Sequence, residues 1–178
     1  MDTFVAFLRG INVGGHGRLP MKDLVAAIER VGGHDVKTYI QSGNAVFESS
    51  KKDHTKLSEQ LASEIEKGHG FRPHVLILEL AAIANAIENN PFPEAEAEPK
   101  HLHLGFLSSV PKAPNLDKLG TIKKHNERFK LIGAVFYLHA PDGVGRSKLA
   151  ASSEKLLGAP MTDRNWSTVC KMRELASG

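Results

Sequence analysis

The chain has 178 residues, 41% of them hydrophobic and 24% charged, which is ordinary globular composition and enough length to bury a core without metal or disulfide support. Its single cysteine, Cys170, excludes an internal disulfide and a four-thiolate zinc site, and it favours a reducing compartment. The formal net charge of +3 is milder than the dense basic stripe of a dedicated DNA-binding domain, but it favours anionic partners.

Neither a secretory leader nor a membrane span is predicted. Residues 1–9 are too short and too soon polar to be a signal peptide, and no apolar run reaches the ~20 residues that a membrane helix needs. We therefore expect a cytoplasmic protein without a membrane partner. Its oligomeric state stays open.

The first half of the chain is predicted to have the element order βαββαβ, followed by one more helix. Apolar runs predict strands at 3–9, 36–40, 45–48 and 74–78. Helical spacing predicts a helix that begins at Pro20 and ends before Gly32, and two more at 53–67 and 80–89. This order is the split pattern of a ferredoxin-like unit.

The second half repeats that order after a polar segment rich in proline and alternating Glu and Ala. Strands are predicted at 101–107, 129–132, 134–139 and 160–162, and helices at 115–122, 147–157 and 165–175. We therefore predict an α+β protein made of two tandem ferredoxin-like (βαββαβ) halves with an added helix each. The halves are 1–90 and 100–178, and the linker is 91–99.

A glycine-rich loop, Gly10-Ile11-Asn12-Val13-Gly14-Gly15, follows the first strand. Phosphate-binding loops occupy this position, but His16-Gly17 stands where a P-loop needs Lys and Ser or Thr, and no Gly-x-Gly-x-x-Gly is formed. Two interpretations stay open. The glycines serve only a steric purpose in a mobile connection, or the loop binds a ligand that Asn12 and Arg18 reach.

Two further loop-to-helix junctions carry cations, namely Gly145-Arg146-Ser147-Lys148 and Thr162-Asp163-Arg164-Asn165. The helix dipole opposes a cation at a helix start, so such a residue is either fully solvated or holds an anion. Thr162 or Asp163 is the predicted N-cap of the last helix, and Trp166 is predicted to anchor that helix in the core. Arg164 and Asn165 could present donors to a phosphate or carboxylate.

Several other chemistries have little support. His101 and His103 share a strand face but lack a third metal ligand, and Ser42 does not lie in a Gly-x-Ser-x-Gly elbow. The RNP1 motif of RNA-binding ferredoxin-like domains is missing from 44–49. No metal site or cofactor is therefore predicted.

Four segments resemble the hallmarks of the bacterial proteins grouped as domain of unknown function 1697. They are Phe7-Leu8-Arg9-Gly10-Ile11-Asn12-Val13-Gly14-Gly15 with Leu19-Pro20-Met21, Tyr39-Ile40-Gln41-Ser42-Gly43-Asn44-Ala45-Val46-Phe47, Gly145-Arg146-Ser147-Lys148-Leu149, and Thr162-x-Arg164-Asn165-Trp166-x-Thr168-Val169. The resemblance spans nearly the whole chain. It implies a bacterial cytoplasmic α+β protein with halves related to the ferredoxin-like arrangement. It supplies no catalytic residue, substrate or cofactor, and His16-Gly17 departs from the lysine or other polar residue expected there.

The function that we expect from these features is binding of an anionic ligand, a nucleotide or a nucleic-acid phosphate, in a cleft between the halves. The predicted ligand-binding residues are Arg9, Asn12, Gly14, Gly15, Gln41, Ser42, Asn44, Arg146, Arg164 and Asn165. Two alternatives stay open. One is a cofactor-free enzyme that acts on a small anionic substrate through Ser42 or a histidine, and the other is an adaptor that binds another protein.

Overall fold

The computed structural model describes all 178 residues of the chain as a mixed α and β structure. The elements, in order, are β1 (Asp2–Arg9), α1 (Met21–Arg30), β2 (His34–Tyr39), β3 (Asn44–Ser49), α2 (His54–His69), β4 (His74–Glu79), α3 (Leu80–Glu88), β5 (Leu102–Leu107), α4 (Leu116–Ile122), β6 (Arg128–Ile132), β7 (Val135–His139), α5 (Lys148–Leu157), β8 (Met161–Asn165) and α6 (Trp166–Ala176). No helix combines the length and apolarity that crossing a bilayer requires.

The chain divides into two compact units. The first unit is Met1–Asn85 together with Lys171–Gly178, and the second unit is Ala86–Cys170. Each unit contains one four-stranded sheet, in which every neighbouring pair of strands is antiparallel.

The sheet of the first unit has the strand order β2-β3-β1-β4. Strand β1 takes a central position because five consecutive apolar residues, Phe4 to Leu8, are buried and suit a strand with a neighbour on each side. On one face of the sheet, alternate β1 residues join the core built with α1 and α2. Helix α2 begins at its N-cap Asp53 and ends at Gly70, which takes the left-handed conformation.

The sheet of the second unit has the strand order β6-β7-β5-β8 and therefore repeats the arrangement of the first. Strand β5 is buried along its whole length. The core of the second unit lies on one face of this sheet and is completed by residues of α4 and α5, among them Leu119, Leu149 and Leu157. The side chains of Asn115 and Ser147 cap these two helices, because each accepts a hydrogen bond from a backbone N–H of the first turn.

The segment predicted as the linker, 91–99, lies in the second unit and contains a 3₁₀-helix, Pro93–Ala97. Its acidic residues bind basic partners on β6 and β7: Glu94 pairs with Arg128, and Glu98 Oε2 lies 3.2 Å from His139 Nε2. The Arg128 guanidinium also lies over the ring of Phe92, 4.6 Å from its centroid.

Two local predictions were wrong. The last strand continues to Asn165, so Thr162 and Asp163 are strand residues, and Asn165 Oδ1 accepts the hydrogen bond from Thr168 N instead. Strand β2 begins at His34 and ends at Tyr39, because Ile40 turns away with a φ of 49°. A register shift between His34 and Lys37, with Asp35 at a φ of 49°, marks a bulge in this edge strand.

Candidate anion-binding site

The glycine-rich loop after β1 is a small β-hairpin. Val13 and His16 pair as an isolated bridge, with Val13 N donating to His16 O at 3.2 Å and His16 N to Val13 O at 2.9 Å. Gly14 and Gly15 join them with φ values of 57° and 77°, the two positive angles of a type I′ turn. The hairpin is extended by a 2.9 Å hydrogen bond from Asn12 N to Gly17 O.

The hairpin closes tightly on Gly10, the residue that follows β1. A Cβ on Gly17 would lie 2.2 Å from the carbonyl oxygen of Gly10, and Gly17 has a φ of +63°. Glycine is therefore required here for both space and backbone angle. Because the hairpin uses the N–H groups of Asn12, Val13 and His16 internally, the loop differs from a P-loop, whose backbone N–H groups face the phosphates.

Asn12 joins the hairpin to the turn between β2 and β3. Its Nδ2 donates to Gln41 O at 2.8 Å and to Leu19 O at 2.9 Å, and its Oδ1 accepts from Leu19 N at 2.8 Å. Asn12 has a φ of 51°, an angle that asparagine tolerates better than most residues. The side chain therefore holds two loops together, and both of its donors are occupied.

The turn at 40–43 is constrained by its neighbours. Gly43 O accepts from Leu8 N at 2.8 Å, and a Cβ on Gly43 would lie 2.7 Å from Leu8 Cβ. Ile40 is β-branched, holds a φ of 49° and is 50% exposed, which is a strained conformation for this residue type. Asn44 is fully buried and donates to Tyr39 O at 3.1 Å, so it shapes the turn from inside.

Charge is segregated along the first sheet. The strands of this sheet carry four carboxylates, and all four lie toward one end of the sheet. The registers of β1 with β3, of β1 with β4 and of β2 with β3 show this for Asp2, Asp35, Glu48 and Glu79. At the opposite end Arg9 faces His74 across the β1–β4 pair. The exposed residues at this opposite end form what we call the loop end, which consists of Arg9, the hairpin 12–18 and the turn 40–42.

The first unit thus places most of its predicted ligand-binding residues on one surface. Arg9, Asn12, Gly14, Gly15, Gln41 and Ser42 are exposed at the loop end. Asn44 lies beneath it. The side chains of His16 and Arg18 are exposed on the same hairpin and belong to the loop end, although only Arg18 was singled out from the sequence.

The three predicted residues of the second unit have different surroundings. Arg146 is exposed at the end of the 3₁₀-helix Val144–Arg146, which precedes α5. Asn165 is occupied as the cap of α6. Arg164 Nη1 donates to Asp163 O at 2.8 Å, and burial lowers the pKa of Arg164 to about 10, partly offset by the charge of Asp163. The guanidinium therefore stays charged at neutral pH.

A polar pair in the second unit was not predicted. His103 Nδ1 lies 2.6 Å from Asp163 Oδ2, and His103 Nε2 lies 3.0 Å from Lys100 O. Burial lowers the pKa of His103, but the hydrogen bonds and the charge of Asp163 outweigh it and leave the pKa above its ordinary value. Because the Asp163 carboxylate and the Lys100 carbonyl are both acceptors, the doubly protonated ring can donate to both of them, and this favours the charged form of His103. The sequence places His103 on a predicted strand, but nothing in it indicates that β8 pairs with that strand and brings Asp163 beside His103.

Comparison with known proteins gives a family and a fold. Residues 1–137 match the model of a family described as protein of unknown function (DUF1697). The chain is also similar to the structure of the conserved bacterial protein SP0830 from Streptococcus pneumoniae, with 22% identity, a TM-score of 0.71 and coverage of 98% of each chain. At this identity the likeness shows the fold alone. Among curated proteins, no sequence matches the chain.

Proposed function

Because the chain belongs to the family of proteins of unknown function DUF1697, whose description names no activity, we propose from its own geometry that it binds an anionic ligand at the loop end of its first unit. The ligand class is a nucleotide or a nucleic-acid phosphate. The observation that carries the proposal is that Asn12 fastens the hairpin to the turn at the end of the sheet that lacks carboxylates.

The loop end offers suitable donors for an anion. No Asp or Glu lies between Thr3 and Lys22, whereas Arg9 and Arg18 supply two guanidinium groups that match phosphate oxygens. The N–H groups of Gly14 and Gly15, at the tip of the hairpin, take no part in its backbone hydrogen bonds. A preformed hairpin also reduces the entropy lost when a ligand orders the loop.

The second unit supplies a further set of candidate donors, Arg146 and Arg164. We propose that each unit is a ferredoxin-like module, which the repeated strand order supports, and that the protein acts in the cytoplasm, which its single cysteine supports. Whether Arg146 and Arg164 serve the same ligand stays a prediction, which their Gln variants would test in the titrations described next.

Calorimetric titration with nucleotides and short oligonucleotides over a range of salt concentrations tests the proposal. Arg18→Gln is expected to weaken binding by about tenfold, because a hydrogen bond to a charged group is lost. For an oligonucleotide the slope of log affinity against log salt should fall by about one. Lys112→Gln, an exposed cation of the second unit, is the control and should change little. Absence of binding at low salt would refute the proposal.

A second candidate function is binding of a protein partner. The observation that favours it is the pair of exposed apolar side chains on the same two loops, Val13 at 67% and Ile40 at 50%. Partner binding of this kind would depend on Val13 and Ile40 and only weakly on salt. The salt series therefore distinguishes the two functions.

A further inference from the structure

The second unit contains a cavity of about 270 Å³ between its sheet and α5. One wall is formed by Phe136 and Leu138 of β7, and another by small residues of α5, including Ala150 and Ser153. The lining is mainly apolar. Because ligand pockets span roughly 300–1,000 Å³, a cavity of this size suits a small metabolite and excludes a whole nucleotide.

Gly105 explains how Met161 of β8 can lie against the sheet at this place. It lies between Phe136 and Asp163 in the register of the sheet, and both of those neighbours line the cavity. Gly105 contributes no side chain, and a Cβ there would lie 2.3 Å from Met161 Sδ. The flexible Met161 side chain therefore lies across Gly105 as an adaptable part of the cavity floor.

Asp163 is the ionisable group of this lining. Its side chain is 43% exposed, and its Oδ2 is bound by His103. A carboxylate has about four acceptor positions, so Asp163, which lines the cavity, retains acceptor capacity beyond the bond from His103. The two serines of the lining are already bound within α5, since Ser147 Oγ accepts from Ala150 N and Ser153 Oγ donates to Ala150 O.

From this juxtaposition we infer that the cavity between β7, β8 and α5 is a binding site for a small amphipathic molecule with a short branched apolar body and a hydrogen-bond-donating head. The apolar body fills the space between β7 and α5, against Phe136 and Met161. The head, an ammonium or a hydroxyl group, donates to the Asp163 carboxylate at the mouth. This site lies wholly in the second unit and is independent of the anion-binding loop end.

Three probes of one shape test the chemical class on the full chain. Isoamylammonium and isoamyl alcohol carry donor heads, whereas isovalerate has the same body with an anionic head. Titrations followed by amide NMR shifts should show the first two probes moving Gly105, Gly145 and Ala150, with isovalerate bound at least about tenfold more weakly. If none of the probes moves these amides at millimolar concentration, or if isovalerate binds as well as the others, the inference is overturned.

Two variants test the site itself. Ala150→Leu places a larger side chain in the cavity, reduces its free volume and should abolish binding of both donor probes. Asp163→Asn retains the shape of the side chain. It should weaken the binding of isoamylammonium by about tenfold and the binding of isoamyl alcohol by less. Lys155→Ala, on α5 outside the lining, is the matched control. Unchanged affinity in Asp163→Asn would overturn the role of the carboxylate, even if Ala150→Leu failed to fold.

Discussion

His103 is a titratable group whose effect on stability depends on pH. Its folded pKa is raised, so the pair with Asp163 stabilises the protein fully below the ordinary pKa of 6.5 and loses that contribution as pH rises through the folded pKa. The hydrogen bonds that the protonated ring makes to Asp163 and Lys100 are the physical source of this contribution.

His103→Gln is therefore expected to destabilise the protein by about 1–2 kcal/mol in acid and by less in alkali. Urea unfolding of the wild type and the variant at several pH values between about 5 and 9 measures the difference. His125→Gln, at an exposed loop histidine, is the control. A difference that stays constant with pH would show that the pair does not titrate as described.

The hairpin glycines differ sharply in their tolerance of a side chain. Gly17→Ala should lower the stability by about 1 kcal/mol or more, because its Cβ would collide with Gly10 O at a positive φ. Gly14→Asn should be nearly neutral, since nothing lies within 4 Å of a Cβ there and asparagine suits a type I′ turn. Thermal unfolding of both variants checks this order. Equal losses would contradict the hairpin geometry.

At the scale of elements, Asn12 is the connection between the hairpin and the turn of β2 and β3. Asn12→Ala removes three hydrogen bonds and leaves Leu19 N unpaired in a buried residue. We expect a loss of about 1–3 kcal/mol and faster hydrogen exchange at the Leu19 amide. Gln41→Ala is the matched control, because Asn12 binds the main-chain oxygen of Gln41, and it should leave that exchange rate unchanged.

Arg128 makes several of the contacts that hold the segment before β5. Arg128→Met removes the ion pair with Glu94, the contact with Phe92 and the 3.0 Å hydrogen bond to His139. Limited proteolysis should then cut the 3₁₀-helix Pro93–Ala97 faster than in the wild type. Lys130 is an exposed cation on the same strand, and the Lys130→Met variant should be cut at the wild-type rate. Equal rates in both variants would mean that the segment is fixed by other contacts.

At the scale of the whole molecule, the C-terminal residues Lys171–Gly178 belong to the first unit although the chain reaches them last. Lys37 Nζ donates to Leu175 O at 3.3 Å, which connects this segment to the edge strand β2. Deleting 172–178 should therefore speed hydrogen exchange along β2 and leave β6, an edge strand of the second unit, protected as before. Equal loosening of both strands would contradict this assignment of the C-terminus.

Much of the fold could be predicted because its signals are local. Five consecutive apolar residues indicate the buried strand β1, helical spacing indicates α1 and α2, and Asn115 and Ser147 stand at helix starts where a side chain can cap. Strand β8 was predicted too short because Asp163 and Arg164 are polar. Its pairing with β5, which keeps these residues in a strand, is a long-range interaction that local pattern does not reveal.

The sequence by itself determined the order of the elements, the glycine-rich loop and the family to which the chain belongs. Only the tertiary structure decided that Asn12 would be a connection between two loops, that the acidic segment before β5 would be folded, and that Asp163 would lie beside His103. The physical reason is range. Apolar periodicity and capping act between residues a few positions apart, whereas these contacts join residues up to 60 positions apart, and only the packed strands and loops bring them within hydrogen-bonding distance.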